Sequence, residues 1–237
     1  MRSIILPAMT TDSKIILITG ATRGIGFAAA RELVSRGARV VIGSRDENRA
    51  VTAAAKLGCD AVQLDITDQQ SVNAAAAVIT ERYGHLDVLV NNGAILLDHY
   101  SSMVELKPEM LRETLETNLI GTLRVVQAFI PLLRKSRAPR IVNLSSGAGQ
   151  LDGEPQPWAP AYSISKTALN MMTQQLTAAL PEMVINSMCP GWCCTEMGGS
   201  DAPLTAEQGA DTMVWLALEA PDSLRGKFVK ERTVIPW

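Results

Sequence analysis

The chain has 237 residues, 47% of them apolar and 19% charged, with a formal net charge of −2 at pH 7. That length suits one α/β unit with a sizeable core, and mixed charge of this kind leaves no basic footprint for nucleic acid. Aromatic residues make up only 4%, too few for a base-stacking surface, and no window approaches the roughly 20 apolar residues of a membrane span.

Residues 1–13 read as a loose lead-in. Their apolar patch is too short for a secretory signal and is interrupted by Pro7, so the cytoplasm is the expected location. Lys14 to Thr19 is a short apolar run of the kind buried on both faces of a parallel sheet. Gly20, Gly24 and Gly26 follow, then a helix ending near Gly37, then a strand over 38–43, which together make one βαβ unit. The alternation continues with helices expected over 48–57, 69–83, 108–134, 161–180 and 206–218. Strands are expected over 61–64, 86–90, 140–144 and 184–188, and an apolar tail runs through Phe228 and Val229. The pattern predicts a single Rossmann-type doubly wound parallel sheet of about seven strands with helices on both faces.

Two features carry chemistry. The glycine turn sits between a strand and a helix, where backbone can approach a pyrophosphate that the helix N-terminus favours. Tyr162 and Lys166 lie four apart in a predicted helix and so share a face. An ammonium beside a phenol favours the phenolate and lowers its pKa from about 10, which suits acid–base work on a reacting oxygen. The four cysteines (Cys59, Cys189, Cys193, Cys194) have neither disulfide nor zinc spacing, and His85 and His99 are the only histidines, so no metal is expected.

Taken together, Thr19 to Gly26, Asn91-Asn92-Gly93-Ala94, Asn118, Ser145-Ser146, Tyr162-x-x-x-Lys166 and Pro190-Gly191 with Thr195 resemble, in order, the motifs of the short-chain dehydrogenase/reductase family. Cys189 to Met197 and Gly226 to Val229 are similar to its carbonyl-reductase branch. The resemblance implies that Tyr162 donates a proton to a carbonyl oxygen held by Ser146. It also implies that Lys166 lowers the phenol's pKa and bonds the nicotinamide ribose, and that Asn118 supports a water linking Lys166 to solvent. The cofactor would lie along Gly20, Thr22, Arg23, Gly24, Ile25 and Gly26, then Asn92, Gly93 and Ala94, with Pro190, Gly191 and Thr195 at the nicotinamide. Asp65 and Ile66 would border the adenine. The family more often has Ala-Gly where this chain has Gly93-Ala94.

The second strand ends in Gly43-Ser44-Arg45, without the acidic residue that receives ribose hydroxyls in an NAD site. Ser44 and Arg45 there, with Arg23, predict NADPH over NADH, the two guanidiniums pairing with a 2′-phosphate. Leu151, Trp158, Trp192, Cys193 and Met197 are candidates for the substrate wall beside Ser146, although plain packing would account for each. Pro155, Pro157 and Pro160 suggest that this wall is stiff. The segment from Ser146 to Tyr162 lacks the long insertion of some monomeric carbonyl reductases, and the helices bearing Asn118 and Tyr162 are apolar on more than one side. A homodimer or homotetramer is therefore expected. The expected function is NADPH-dependent reduction of a ketone or aldehyde. The alternatives are a 3-oxoacyl-thioester reductase and a dinucleotide-sensing regulator without turnover.

Overall fold

The computed structural model describes residues 13–154 and 157–237, so residues 1–12 of the expected lead-in and Pro155 lie outside the described residues. β1 (Ile15–Thr19) is apolar nearly throughout and buried along its whole length. Ile16 and Ile18 face one layer of helices, while Ile15 and Leu17 face the other, as a period of two requires. Then come α1 (Gly24–Ser35), β2 (Arg39–Ser44), α2 (Glu47–Leu57), β3 (Asp60–Gln63), α3 (Gln69–Tyr83) and β4 (Val88–Asn91). The second half holds α4 (Pro108–Leu115), α5 (Thr122–Leu133), β5 (Arg140–Leu144), α6 (Pro160–Ala179), β6 (Val184–Met188), α7 (Ala206–Leu218), β7 (Phe228–Lys230) and β8 (Thr233–Ile235).

The strands form one sheet in the order β3-β2-β1-β4-β5-β6-β7-β8, parallel except for β8. Ala29 and Leu33 of α1, Ala54 of α2 and Met213 of α7 cover one face. Ile79 of α3 with Val126 and Phe129 of α5 cover the other. Because β1 pairs with both β2 and β4, the connections leave it in opposite directions. A crevice therefore opens at the carboxyl ends of β1 and β4, the place where such sheets bind ligands. Among the described residues, no helix is long and apolar enough to cross a membrane.

Two elements differ from expectation. The helix expected over 108–134 is broken by a π-helical turn, Glu116–Gly121. Wide turns of this type mark functional sites, and this one carries Asn118. Its end is also constrained, since a Cβ on Gly121 would stand 2.9 Å from the Ile66 carbonyl oxygen. The apolar tail is a hairpin that adds an eighth strand. Its turn residues Glu231 and Arg232 have φ of 49° and 60°, a geometry usually given to Asn or Gly, so no turn signal was present. Arg232 is held in it by Asp211 and by Thr212 Oγ1, which accepts its backbone N–H at 3.1 Å.

Candidate active site

The glycine turn is built by Asn92 and Thr19. Asn92 Nδ2 donates to the carbonyls of Thr19 (2.8 Å) and Gly20 (3.0 Å), and Thr19 Oγ1 accepts the N–H groups of Asn92 and Gly93, each at 3.0 Å. A Cβ on Gly26 would lie 2.6 Å from Asn92 Nδ2, which explains glycine there. Asn92 was expected on the cofactor, and its amide shapes the turn along which the cofactor would lie. A Cβ on Gly93 would make ordinary contact, 3.4 Å from Ile66 and Thr19, so the Gly93-Ala94 order meets no obstacle in the protein's own packing. Arg23, the residue before α1, offers no side-chain cap, which leaves first-turn amides at Gly24, Ile25 and Gly26 to face an anion.

Beyond the turn, a cavity of about 480 Å³ is lined by Thr22, Arg23, Asn48, Arg49 and Lys56, among others. Arg45 lies exposed past the end of β2, and the cations lining this cavity are Arg23, Arg49 and Lys56. Sequence reading missed Arg49 and Lys56. The signal was available, because residues 49, 52 and 56 share one face of α2 at helical spacing. Asp46 caps α2, its carboxylate accepting from Arg49 N at 3.0 Å, and Ser44 Oγ accepts from Asp46 N at 3.2 Å. Arg23 also pairs with Glu196, joining the glycine turn to the loop after β6. Asp65, expected at the adenine, turns Oδ1 to Thr67 N (2.9 Å) and Thr67 Oγ1 (2.7 Å), while Ile66 packs half-buried beside Gly93.

At the carboxyl ends of β5 and β6, Ser146 begins a 3₁₀ turn, Gly147–Gly149, its Oγ accepting from Ala148 N at 3.2 Å, and stands next to the Tyr162 hydroxyl. Ser145 points elsewhere, its Oγ donating to the Lys166 carbonyl at 3.3 Å. The turn presses on α6 so closely that a Cβ on Gly149 would stand 2.7 Å from the Lys166 backbone. Lys166 Nζ donates to the Leu144 carbonyl at 2.7 Å and stands 5.5 Å from the centre of the Tyr162 ring. The phenol was expected to be lowered by this ammonium. Burial dominates instead, pushing Tyr162 up to about 12, with the Ser146 hydrogen bond opposing it. Burial also brings Lys166 down to about 8, against a partial rise caused by Cys189. The Cys189 sulfur accepts from Gly147 N at 3.1 Å.

These environments predict a pH dependence of stability. From about pH 8 up to the ordinary lysine value of 10.5, the unfolded chain keeps the Lys166 proton that the folded chain sheds. Stability therefore rises with pH across that window, by at most about 1.4 kcal/mol per pH unit, until Tyr162 begins to act oppositely above 10. Urea unfolding at several pH values between about 8 and 10 should show this rise in the wild type and lose it in Lys166→Met. Parallel profiles would contradict it.

Asn118 ties the parts together. Its Oδ1 accepts from Ile95 N (2.8 Å), and its Nδ2 donates to the Ile95 carbonyl (2.9 Å) and to Ser165 Oγ (3.0 Å). Thr122 Oγ1 donates to its backbone carbonyl at 3.1 Å. On the open side, the Trp158 ring meets Tyr162 edge-on at 6.1 Å, and Leu151, Trp192 and Met197 are solvent-exposed. Cys193, expected on the substrate wall, is buried behind it: its Sγ donates to the Pro190 carbonyl, and a Cβ on Gly209 of α7 would collide with it. Gly191 turns left-handed at φ 77° against Leu204. Thr195 Oγ1 donates to the Cys193 carbonyl (3.4 Å) and accepts from Gly198 N (3.1 Å), while its methyl group comes within reach of Gly24. Asp98 and His99 also border the site, and no sequence motif pointed to them.

A family model described as short chain dehydrogenase matches residues 14–204. The chain belongs to the short-chain dehydrogenase family. A (+)-neomenthol dehydrogenase of Arabidopsis thaliana is 33% identical over 85% of this chain and 90% of its own. Carbonyl reductase (NADPH) 1 of Mus musculus is 30% identical over 97% of this chain and all of its own. That alignment runs over 285 positions, more than the 237 residues of this family member, so the mouse protein carries inserted residues. Among solved structures, an NADPH-bound carbonyl reductase from chicken fatty liver superimposes with a TM-score of 0.87. It is 28% identical and covers 95% of this chain and 99% of its own.

Proposed function

We propose that this chain is an NADPH-dependent carbonyl reductase, with Ser146 holding the carbonyl oxygen and Tyr162 giving it a proton. The observation that carries the reading is the placing of Ser146 beside the buried Tyr162 hydroxyl, with Lys166 Nζ 5.5 Å from the ring centre, at the carboxyl ends of the strands where the glycine turn also lies. When bound, the nicotinamide supplies hydride to the carbonyl carbon. The Ser146 hydroxyl stabilises charge developing on the oxygen. Burial keeps Tyr162 protonated at neutral pH, the state a donor needs. The Lys166 ammonium, close to the ring, stabilises the phenolate that forms as the proton leaves. Asn118 holds α6 to the loop after β4, and we assign the water relay toward Lys166 to the widened turn that carries it.

The cationic cavity beside the glycine turn supports NADPH, and the acidic residue nearest the end of β2, Asp46, is committed to capping α2. The relatives named for NADPH support the same choice. A thioester reductase serving a carrier protein would call for free basic residues. Of the modest basic patch Arg124, Arg134, Lys135 and Arg137, Arg124 pairs with Glu116 at 2.6 Å and Arg134 with Glu182 at 3.0 Å, which leaves Lys135 and Arg137 exposed. Oxidation of NADPH in the presence of activated ketones tests the reading, and turnover to the alcohol is expected. Bound NADPH with no turnover on any ketone would favour the sensing role. We also infer a homo-oligomer built on the π-helical turn and α6, where Ile120, Ile164 and Met171 are exposed. Sedimentation should show at least a dimer, and particles of 25.5 kDa alone would contradict it.

A further inference from the structure

The helix that carries Tyr162 and Lys166 starts in an unusual way. Its N-cap residue is Ala159, held left-handed at φ 43° and ψ 63°, with no side chain able to accept a hydrogen bond. Pro160 follows and has no N–H, so the first backbone donor requiring a partner is that of Ala161, directly before Tyr162. The partner comes from 63 residues earlier in the chain. Asp98 Oδ2, from the loop after β4, accepts from Ala161 N at 2.5 Å. This carboxylate is 1% exposed, and its Oδ1 has no hydrogen-bond partner among the described residues. Burying a polar group with so few partners is costly, and the positive end of a long helix favours an oxygen acceptor in this place.

The residues around Asp98 extend the same junction. The main chain turns at Asp98, Ser101 N donating to its carbonyl at 3.0 Å. His99 meets the Trp158 ring edge-on at 5.4 Å, and its Nε2 lies 3.1 Å from the Met197 carbonyl oxygen. Ser163 Oγ donates to the Trp158 carbonyl at 3.1 Å. Asp98 thus fixes the start of α6 from outside the helix, at the point where the substrate wall and Tyr162 meet.

We propose that Asp98 is a positioning residue for Tyr162: as a cap supplied from a distant loop, it sets where the first turn of α6, and with it the phenol, stands relative to Ser146. The proposal rests on the reading of Tyr162 as proton donor, and the test separates the two. Asp98→Ala removes the acceptor, while Asp98→Asn keeps an oxygen in the same place. Amide hydrogen exchange of the peptide spanning 158–167 should accelerate about tenfold in Asp98→Ala and stay near wild type in Asp98→Asn. With NADPH and a ketone, Asp98→Ala should lose about tenfold or more in kcat while NADPH affinity stays within about twofold, and Asp98→Asn should recover most of the loss. If Asp98→Ala does not fold, Asp98→Asn carries the test, and a large kcat loss in it with unchanged exchange would overturn the proposal. Wild-type kcat in Asp98→Ala despite faster exchange, or no change in exchange, would also overturn it. Tyr162→Phe measured alongside isolates the underlying reading: if that variant keeps full turnover, the donor role fails, and exchange at Ala161 alone decides whether Asp98 is the cap.

Discussion

Tyr162→Phe should lower kcat for ketone reduction by about 10³-fold while leaving NADPH bound. The substitution deletes one oxygen and keeps the ring that meets Trp158 edge-on and faces the Lys166 ammonium. The fold should therefore persist, because the packing of α6 rests on groups left untouched, including Leu169 and Asn170. Only the proton supply at the end of β5 is lost. Ser146 remains to polarise the carbonyl, so a residual rate above the uncatalysed reaction is expected rather than none. Turnover by the variant within about tenfold of wild type would show that the proton comes from elsewhere.

Arg23→Ala with Arg49→Ala should reduce kcat/KM for NADPH by about 100-fold and leave that for NADH little changed. Both guanidiniums line the cavity beside the glycine turn. A 2′-phosphate there would receive charge-assisted bonds that a ribose hydroxyl does not need. Each arginine has a competing partner, Glu196 for Arg23 and Asp46 for Arg49, and both pairs are exposed. Exposed pairs of this type are weak, so exchange to a phosphate costs little. Equal losses with the two nucleotides would show that the pair serves the shared pyrophosphate or the fold instead. Arg45→Ala should matter less than the double change, since Arg45 lies exposed past the strand end and does not line the cavity.

Much of the fold was legible because the signals were local. The apolar run at Ile15 to Thr19 leads into a turn that needs glycine, and the strands at 88–91, 140–144 and 184–188 are again short runs with buried apolar residues. The pairing of Tyr162 with Lys166 followed from helical spacing alone. What escaped depended on distant contacts. No local pattern marks the widened helix at Asn118, whose contacts with Ile95, like that of Gly121 with Ile66, come from elsewhere in the chain. The eighth strand hides behind a turn of Glu231 and Arg232, stabilised by Asp211 of α7 rather than by residues suited to the geometry. Cys193 was expected on the substrate wall because it falls between Trp192 and Met197 in sequence, but the loop turns its sulfur toward α7. The phenol's pKa escapes for the same reason, since spacing brings an ammonium near but says nothing of burial or of the Leu144 carbonyl to which that ammonium donates.

Transfer of a label to a ketone from NADPH carrying deuterium at both carbon-4 positions tests the central claim most directly. The account predicts alcohol product with one deuterium on the carbinol carbon, formed by the wild type and nearly absent with Tyr162→Phe, although both proteins bind the nucleotide equally. Nucleotide bound by the wild type with no label in any alcohol, or label transferred as fast by the variant, would contradict it.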